Sequence, residues 1–167
     1  MKNEKFILDA CCGGKHIWFN KNHPNTLYID MREEDKGFIK ERKNWECKPD
    51  LIADFRALPF EDKRFKLIVW DPPHLIAKRM SGYMTKKYGC LNPETWQDDF
   101  KRGFKELWRV LDDYGVLVFK FNDFSVSFKK VLKVIGKDPL FGTITVQKKR
   151  ASTKWFTFMK IPEPKHL

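Results

Sequence analysis

The chain has 167 residues, of which 42% are hydrophobic and 15% aromatic, a composition typical of a folded protein with a substantial core. Its 33 lysine and arginine residues outnumber its 22 acidic residues, and the formal net charge of +11 favours a polyanionic partner, most simply nucleic acid. No apolar run approaches the roughly 20 residues that a membrane-spanning helix needs, which argues against a helical membrane protein.

The first predicted strand, residues 5–9, ends at Asp9 and runs into a loop of small residues. Small residues and glycines after a first strand allow the backbone to approach a ligand closely. A helix is expected over residues 15–20, where Trp18 and Phe19 are predicted to pack against the sheet. The loop residues predicted to line a ligand site are Ala10, Cys11, Cys12, Gly13 and Gly14.

Two further strands, residues 26–30 and 50–53, are each followed or ended by an acidic residue. Asp30 ends the first of them, where dinucleotide-binding folds place the carboxylate that accepts hydrogen bonds from ribose hydroxyls. Met31 and Arg32 are then expected near the nucleoside of the same ligand. Residues 33–48 are mostly charged, which indicates a solvent-exposed helix or loop.

The fourth strand, residues 65–70, is a short apolar run that two prolines end abruptly in Asp71-Pro72-Pro73-His74. Asp71 is therefore predicted at the carboxyl end of a central strand, where open α/β sheets bind their ligands. Its carboxylate and the Pro72 carbonyl are two acceptors for the hydrogens of an exocyclic amine, and the His74 ring offers a stacking surface. Asp-Pro-Pro is also a common start of a loop.

Residues 75–93 show no convincing periodicity, and a loop of this length in a small domain is usually functional or disordered. Basic and aromatic side chains alternate within it, a mixture that suits phosphate contact and base stacking. A solvated cover without a partner is the other interpretation. The residues predicted to contact substrate here are Lys78, Arg79, Tyr83, Lys86, Lys87 and Tyr88.

The second half of the chain predicts a helix over residues 96–111, with Asp98 and Asp99 among the residues of its solvent face. A fifth strand follows at 116–121, in which Lys120 is unusual and is expected at the site. Ser125 is expected to cap a helix that ends at Ile135. Segments 143–146 and 154–159 alternate like an antiparallel pair, with Lys148-Lys149-Arg150 between them as a second basic site.

The four cysteines form no C-x-x-C pair and have no histidine at zinc-finger spacing, so no metal site is expected. The four cysteines are therefore expected to be reduced thiols, as in a cytoplasmic protein. The N-terminal residues lead directly into a strand, and no signal peptide is visible. The length predicts one domain, residues 1–167.

Asp71-Pro72-Pro73-His74 resembles motif IV of the amino-methyltransferases, the S-adenosylmethionine (SAM) enzymes that methylate adenine N6 or cytosine N4. The usual fourth residue of that motif is aromatic, so His74 is a departure. The segment from Asp9 to Gly14 resembles motif I of class I methyltransferases, with Lys15 where the last glycine of the family pattern stands. The chain as a whole is similar to small phage- and prophage-encoded proteins described as DNA adenine methylases.

The resemblance implies an α/β fold: a mostly parallel seven-stranded sheet, a C-terminal antiparallel hairpin and helices on both faces. It also implies SAM as the cofactor, with Asp9 orienting its amino group through its surroundings, Asp30 on its ribose, and Asp54 and Phe55 on its adenine.

The expected reaction is methyl transfer to an exocyclic amino group of a base, adenine N6 first, on DNA ahead of RNA. A nucleic-acid-binding SAM module without catalysis and a small-amine methyltransferase are the alternatives. Because no target-recognition domain is appended, sequence choice is expected to come from the loops, from a partner protein or from a homodimer.

Overall fold

The computed structural model describes residues 4–143 and 151–163. It contains one seven-stranded sheet with strand order β3-β2-β1-β4-β5-β7-β6. The strands are β1 (Ile7–Asp9), β2 (Thr26–Asp30), β3 (Leu51–Ile52), β4 (Phe65–Trp70), β5 (Leu111–Asn122), β6 (Phe141–Gly142) and β7 (Thr153–Met159).

Strands β1 to β5 are parallel, whereas β7 is antiparallel to β5 and to β6. This confirms the predicted sheet, mostly parallel with antiparallel strands at its C-terminal edge. Because the strand order reverses between β1 and β4, the carboxyl ends of these two strands open a crevice, as in other doubly wound sheets. Asp9 ends β1, and Asp71 directly follows β4.

In the described part of the chain three helices accompany the sheet: α1 (Tyr83–Tyr88), α2 (Trp96–Val110) and α3 (Phe128–Ile135). Helix α2 buries the apolar stripe that its sequence predicts, and its Phe100 packs against Trp70 of β4. Helix α3 packs beside α2, and its Phe128 contacts Phe121 of β5 and Phe156 of β7. The main core therefore lies between the sheet and these two helices.

Several predicted elements differ from the structure. Residues 15–20 form turns rather than a helix, and Lys15 has a positive φ of 53° that a helix does not allow. Ser127, not Ser125, caps α3, because its side chain accepts the backbone N–H of Lys130. Turns also form the connections between β1 and β2 and between β2 and β3. The helices that pack together on the sheet are therefore α2 and α3.

The hairpin begins earlier than predicted. Its described first strand is β6, Phe141–Gly142, and only residue 143 of the predicted 143–146 segment lies within the described part of the chain. The basic group Lys148-Lys149-Arg150 also lies outside the described residues.

Within residues 4–143 and 151–163, no helix has the length and apolar character needed to cross a membrane.

Candidate active site at the carboxyl edge of the sheet

A cavity of about 900 Å³ opens where β1, β2 and β4 end. Its walls contain 19 of the residues that the sequence predicts at the ligand site. They are Asp9, Ala10, Cys11, Cys12, Gly13, Gly14, Asp30, Met31, Arg32, Phe55, Asp71, Pro72, Pro73, His74, Lys78, Arg79, Lys87, Tyr88 and Lys120. Asp54, Tyr83 and Lys86 are not part of this wall.

The glycine loop, residues 10–14, is fixed by backbone hydrogen bonds to the neighbouring strands. The Ala10 N–H donates to the Val69 carbonyl and the Cys12 N–H to the Ile29 carbonyl, both at 2.9 Å. Gly13 has a φ of 46°, a region that favours glycine. A Cβ on Gly14 would lie 2.8 Å from the His16 and Trp45 rings, so only glycine fits there without a shift. The loop therefore presents backbone to the cavity.

Asp9 is buried at the floor of the cavity, with 1% of its surface exposed. Its carboxylate accepts hydrogen bonds from the Trp18 indole N–H at 2.6 Å and from the Cys11 N–H at 3.3 Å. Burial raises the pKa of Asp9 to about 7, and the bonds from Trp18 and Cys11 oppose that rise only in part. Trp18 thus holds a site residue, while Phe19, expected against the sheet, is fully exposed.

Asp30 joins the glycine loop to the chain that follows β2. Its Oδ2 accepts the Gly13 N–H at 2.9 Å, and its Oδ1 accepts the Arg32 N–H at 3.2 Å. Each carboxylate oxygen can accept more than one hydrogen bond, so both oxygens retain capacity for donors in the cavity. Met31, between Asp30 and Arg32 in the sequence, is exposed and also lines the cavity.

Asp54 is occupied by Arg56 instead of facing the cavity. The guanidinium binds it with Nε–Oδ1 and Nη2–Oδ2 distances of 2.9 and 2.6 Å, and reaches Asp99 of α2 at 2.7 Å. Burial favours a higher pKa of Asp54, but the Arg56 hydrogen bonds and charge outweigh it and hold the pKa below its ordinary value. Phe55, Arg56 and Asp99 line the cavity at this end.

Asp71 lies beside Lys120 because β4 and β5 pair Trp70 with Phe119, which makes the next residues neighbours. The Lys120 ammonium donates to Asp71 Oδ2 at 2.5 Å. Burial raises the pKa of Asp71, and the charge and hydrogen bond of Lys120 oppose the rise. Among the described residues, no hydrogen bond reaches Asp71 Oδ1 or the Pro72 carbonyl oxygen.

The His74 ring is near two aromatic side chains, with centroid distances of 5.8 Å to Tyr88, in a tilted arrangement, and 6.4 Å to Phe121, edge to face. Burial lowers the pKa of His74, and the charge of Lys120 lowers it further, so the ring is neutral near pH 7. Gly89, at a φ of 76°, passes so close to Pro73 that a Cβ would lie 2.9 Å from the Pro73 ring. The chain after α1 is thereby packed onto the Asp71–His74 motif.

The predicted substrate contacts in residues 75–93 divide into two groups. Lys78, Arg79, Lys87 and Tyr88 line the cavity. Tyr83 instead accepts a hydrogen bond from Arg42 at 3.3 Å and packs on a small cluster formed by Ile39, Trp45 and Cys47. The described hydrogen bonds of Lys86 are made by its backbone, whose N–H donates to the Gly82 carbonyl and whose carbonyl accepts from Arg32.

Asp99 was expected on the solvent face of α2, and that prediction is wrong. It is 7% exposed, binds Arg56 and accepts the Thr95 hydroxyl at 3.0 Å. The sequence does hold a signal, since Asp99 is three residues after Trp96 and four before Gly103, both buried. Arg56 has no comparable signal, because its partner is 43 positions away.

Within the described residues, one group of side chains has the composition of a metal site. Cys12, Asp30 and Cys47 place their ligand atoms within 4.8 Å of one another. The Arg32 guanidinium lies 4.0 Å from Asp30, however, and its positive charge opposes a cation at that carboxylate.

The sequence is similar to that of a distant relative. No family model matches the chain. An uncharacterized protein of Methanocaldococcus jannaschii is 26% identical over 179 aligned positions, which cover 98% of this chain. The chain spans 60% of the length of that relative.

Solved structures share the architecture at low sequence identity. A SAM-dependent methyltransferase of Methanosarcina mazei has a TM-score of 0.56 at 12% identity, covering 98% of this chain and 95% of its own. A geranyl diphosphate methyltransferase in complex with sinefungin, a SAM analogue, has a TM-score of 0.57 at 9% identity, covering 96% and 72%. An rRNA methylase of Streptococcus thermophilus has a TM-score of 0.52 at 13% identity, covering 97% and 91%.

These proteins are SAM-dependent or methylating enzymes with unlike substrates, a small diphosphate in one case and rRNA in another. The fold thus agrees with the predicted cofactor and leaves the substrate open. The chain has the fold of the class I SAM-dependent methyltransferases.

Proposed function

We propose that this protein is a SAM-dependent methyltransferase that acts on an exocyclic amino group of a nucleic-acid base, adenine N6 first. The observation that carries the proposal is one cavity shared by two sets of residues. The glycine loop and Asp30 form one side of it, and Asp71, Pro72 and His74 form the other. A donor and an acceptor bound there would meet at the end of β4.

The first set fits SAM. Asp30 offers two oxygens with spare acceptor capacity to the ribose hydroxyls, and the glycine loop leaves room for the methionine part. Asp9, which accepts the Cys11 N–H of that loop, would orient the ammonium of the methionine part through its surroundings. Phe55 and Met31 supply apolar surface for the adenine. Asp54 is held by Arg56, so we assign the adenine end to the Arg56–Asp99 pair in its place.

The second set fits an amine nucleophile. The unpartnered Asp71 Oδ1 and Pro72 carbonyl would accept the two N–H groups of the base, which favours the positive charge that develops on nitrogen during attack. Bound SAM supplies a methyl group activated on a sulfonium, so the chain mainly has to position the two reactants. The nitrogen lone pair forms the new bond to carbon, the carbon–sulfur electrons go to sulfur, and one N–H proton leaves to water.

The positive charges on the Asp71 side of the cavity favour a polyanionic substrate. Lys78, Arg79 and Lys87 line the mouth of the cavity and suit phosphate contact, while His74 and Tyr88 offer ring faces to a base. A base in a duplex would have to leave its stack to reach Asp71, so single-stranded or flipped DNA is the favoured substrate form. RNA is the second candidate, since the same contacts would accept it.

Methyl transfer from tritiated SAM to single-stranded DNA, RNA and buffer amines, run in parallel, tests the proposal. We expect label in DNA with the wild type and at least about 100-fold less with Asp71→Ala, which removes one acceptor of the attacking amine. SAM binding by Asp71→Ala should stay close to that of the wild type.

Label that appears only in small amines would contradict the nucleic-acid substrate. SAM binding with no transfer to any of the three acceptors would contradict catalysis and leave a SAM-binding module. Label found only in RNA would show that RNA, and not DNA, is the substrate.

A further inference from the structure

The Arg32 side chain connects the two halves of the cavity. It follows Asp30 by two positions, and its Nε lies 4.0 Å from Asp30 Oδ1. On its other side the guanidinium donates to the Lys86 carbonyl at 2.6 Å and to the Lys87 carbonyl at 3.0 Å. The side chain is 15% exposed and lies over the Trp45 ring at 5.4 Å. The Arg32 guanidinium thus contacts both Asp30, on the proposed SAM side of the cavity, and helix α1, on the proposed substrate side.

Helix α1 depends on contacts of this kind. It has six residues, none of which is buried, and so short a helix is not stable by itself in water. The Lys86 and Lys87 carbonyls belong to its last turn, where carbonyls lack intrahelical partners and carry the negative end of the helix dipole. The fork of a guanidinium can serve two such carbonyls at once, and an ammonium cannot do so in the same geometry.

The position of α1 in turn sets the target pocket. Lys87 and Tyr88, at its C-terminal end, line the cavity, and the Tyr88 ring lies 5.8 Å from that of His74. A change in the Arg32 contacts would therefore move both the stacking surface and one of the cations at the mouth.

We propose that Arg32 is a positioning residue that couples cofactor binding to the ordering of α1, so that SAM completes the target pocket when it binds. The inference rests on the proposed function, because it takes Asp30 as the ribose acceptor. Hydroxyl donors on Asp30 fix its carboxylate, and a fixed carboxylate holds the Arg32 fork towards the α1 carbonyls. Met80, which precedes α1 and lies 3.6 Å from Arg32 Nη1, lines the same cavity and would contact the bound ligand directly.

Hydrogen–deuterium exchange of the α1 amides with and without SAM tests the coupling. In the wild type we expect SAM to slow exchange of residues 83–89 about tenfold, the effect of strengthening one or two charge-assisted hydrogen bonds. Arg32→Lys keeps the charge but loses the fork, so its α1 should exchange fast in both states. Calorimetry on the same variant should still detect SAM binding.

Arg42→Ala is the matched control. Arg42 also contacts α1, through the Tyr83 hydroxyl at 3.3 Å, but the structure shows no contact between it and Asp30. Its loss should speed α1 exchange in both states while SAM continues to slow it. A SAM response that survives in Arg32→Lys, or SAM binding to the wild type with unchanged α1 exchange, would overturn the inference and leave the proposed function standing. Absence of SAM binding to the wild type would overturn both.

Discussion

The glycine loop and the 75–93 segment face each other across the cavity, and the chain holds them in place by different means. The loop is tied into the sheet, since the Ala10 and Cys12 amides bond to the carbonyls of neighbouring strands. The 75–93 segment has one buried anchor, Leu91, which exchanges backbone hydrogen bonds with Leu75 and Ala77, and its helix α1 buries no residue.

This difference separates the functions of the two sides. Residues fixed by the sheet need no rearrangement to receive a ligand, as a specific cofactor requires. Residues on a lightly packed segment belong to the low-stability part of a protein and can adjust to a larger partner. Changes in the loop half should therefore have large effects on stability and cofactor affinity, whereas changes in the 75–93 segment should have smaller, salt-dependent effects.

The largest effect is expected from Asp9→Asn, which keeps the acceptor for Trp18 and removes the charge. The pKa of Asp9 is raised from 3.8 to about 7 on folding. The unfolded chain therefore loses this proton first, and the Asp9 contribution to stability falls as the pH rises between these values. We therefore expect the free energy of unfolding of the variant minus that of the wild type to increase by roughly 4 kcal/mol as the pH is raised from 3 to 8.

Urea unfolding of both proteins across that range measures this gain. A difference that is independent of pH would show that Asp9 ionises as an ordinary carboxyl and is not a buried part of the floor.

Asp30→Ala should weaken SAM binding about 100-fold, because two charge-assisted hydrogen bonds to the ribose are lost. The variant also leaves the Gly13 amide without its acceptor. Titration calorimetry measures the affinity, and Asp50→Ala is the control, since Asp50 is an acid near β2 that does not line the cavity. Equal losses in the two variants would remove the ribose assignment.

Lys120→Met should shift the pH profile of methyl transfer. Burial raises the pKa of Asp71 and Lys120 opposes the rise, so removing Lys120 raises that pKa further. Because transfer needs the ionised carboxylate, the activity that is lost on acidification should be lost at a higher pH in the variant. Steady-state rates across the acid range test this, and a profile that does not move would mean that the limiting group is not Asp71.

Replacing Lys78, Arg79 and Lys87 together by Ala should weaken nucleic-acid binding and lower its salt dependence, the slope of log K against log salt, by up to about 2. The matched control replaces Lys129 and Lys133 of α3 and Lys137, two residues after it, which lie on another surface. Fluorescence anisotropy at several salt concentrations measures both slopes. A loss of slope in the α3 variant alone would place the phosphate contacts there.

His74→Phe should have the smallest effect, within about tenfold in rate, if the ring serves to stack on the base. The neutral state that burial imposes on His74 is compatible with that role. Single-turnover rates of the two proteins test it. A variant as inactive as Asp71→Ala would show that the histidine also accepts a proton.

The parts of the site that the sequence predicts are those at strand ends. Asp9, Asp30 and Asp71 each follow a short apolar run, and parallel strands bring such positions to one edge. Helix α2 is equally predictable, because its apolar side chains recur at helical spacing over 15 residues.

The parts that could not be predicted depend on contacts between distant segments. Arg56 meets Asp99 across 43 positions, and the Arg32 contacts with α1 span 54 and 55. Residues 15–20 form turns instead of the predicted helix, and their Trp18 side chain donates to Asp9. Local pattern carries no information about such pairs, since their geometry exists only once the sheet has formed.

The proposed methyl transfer depends most on Asp71. Mass spectrometry of nucleosides from single-stranded DNA incubated with SAM and either the wild type or Asp71→Ala tests it most directly. We predict N6-methyladenine in the wild-type product and none above background with the variant. Methylation confined to a ring carbon or a ribose oxygen, or equal N6-methyladenine from both proteins, would contradict the account.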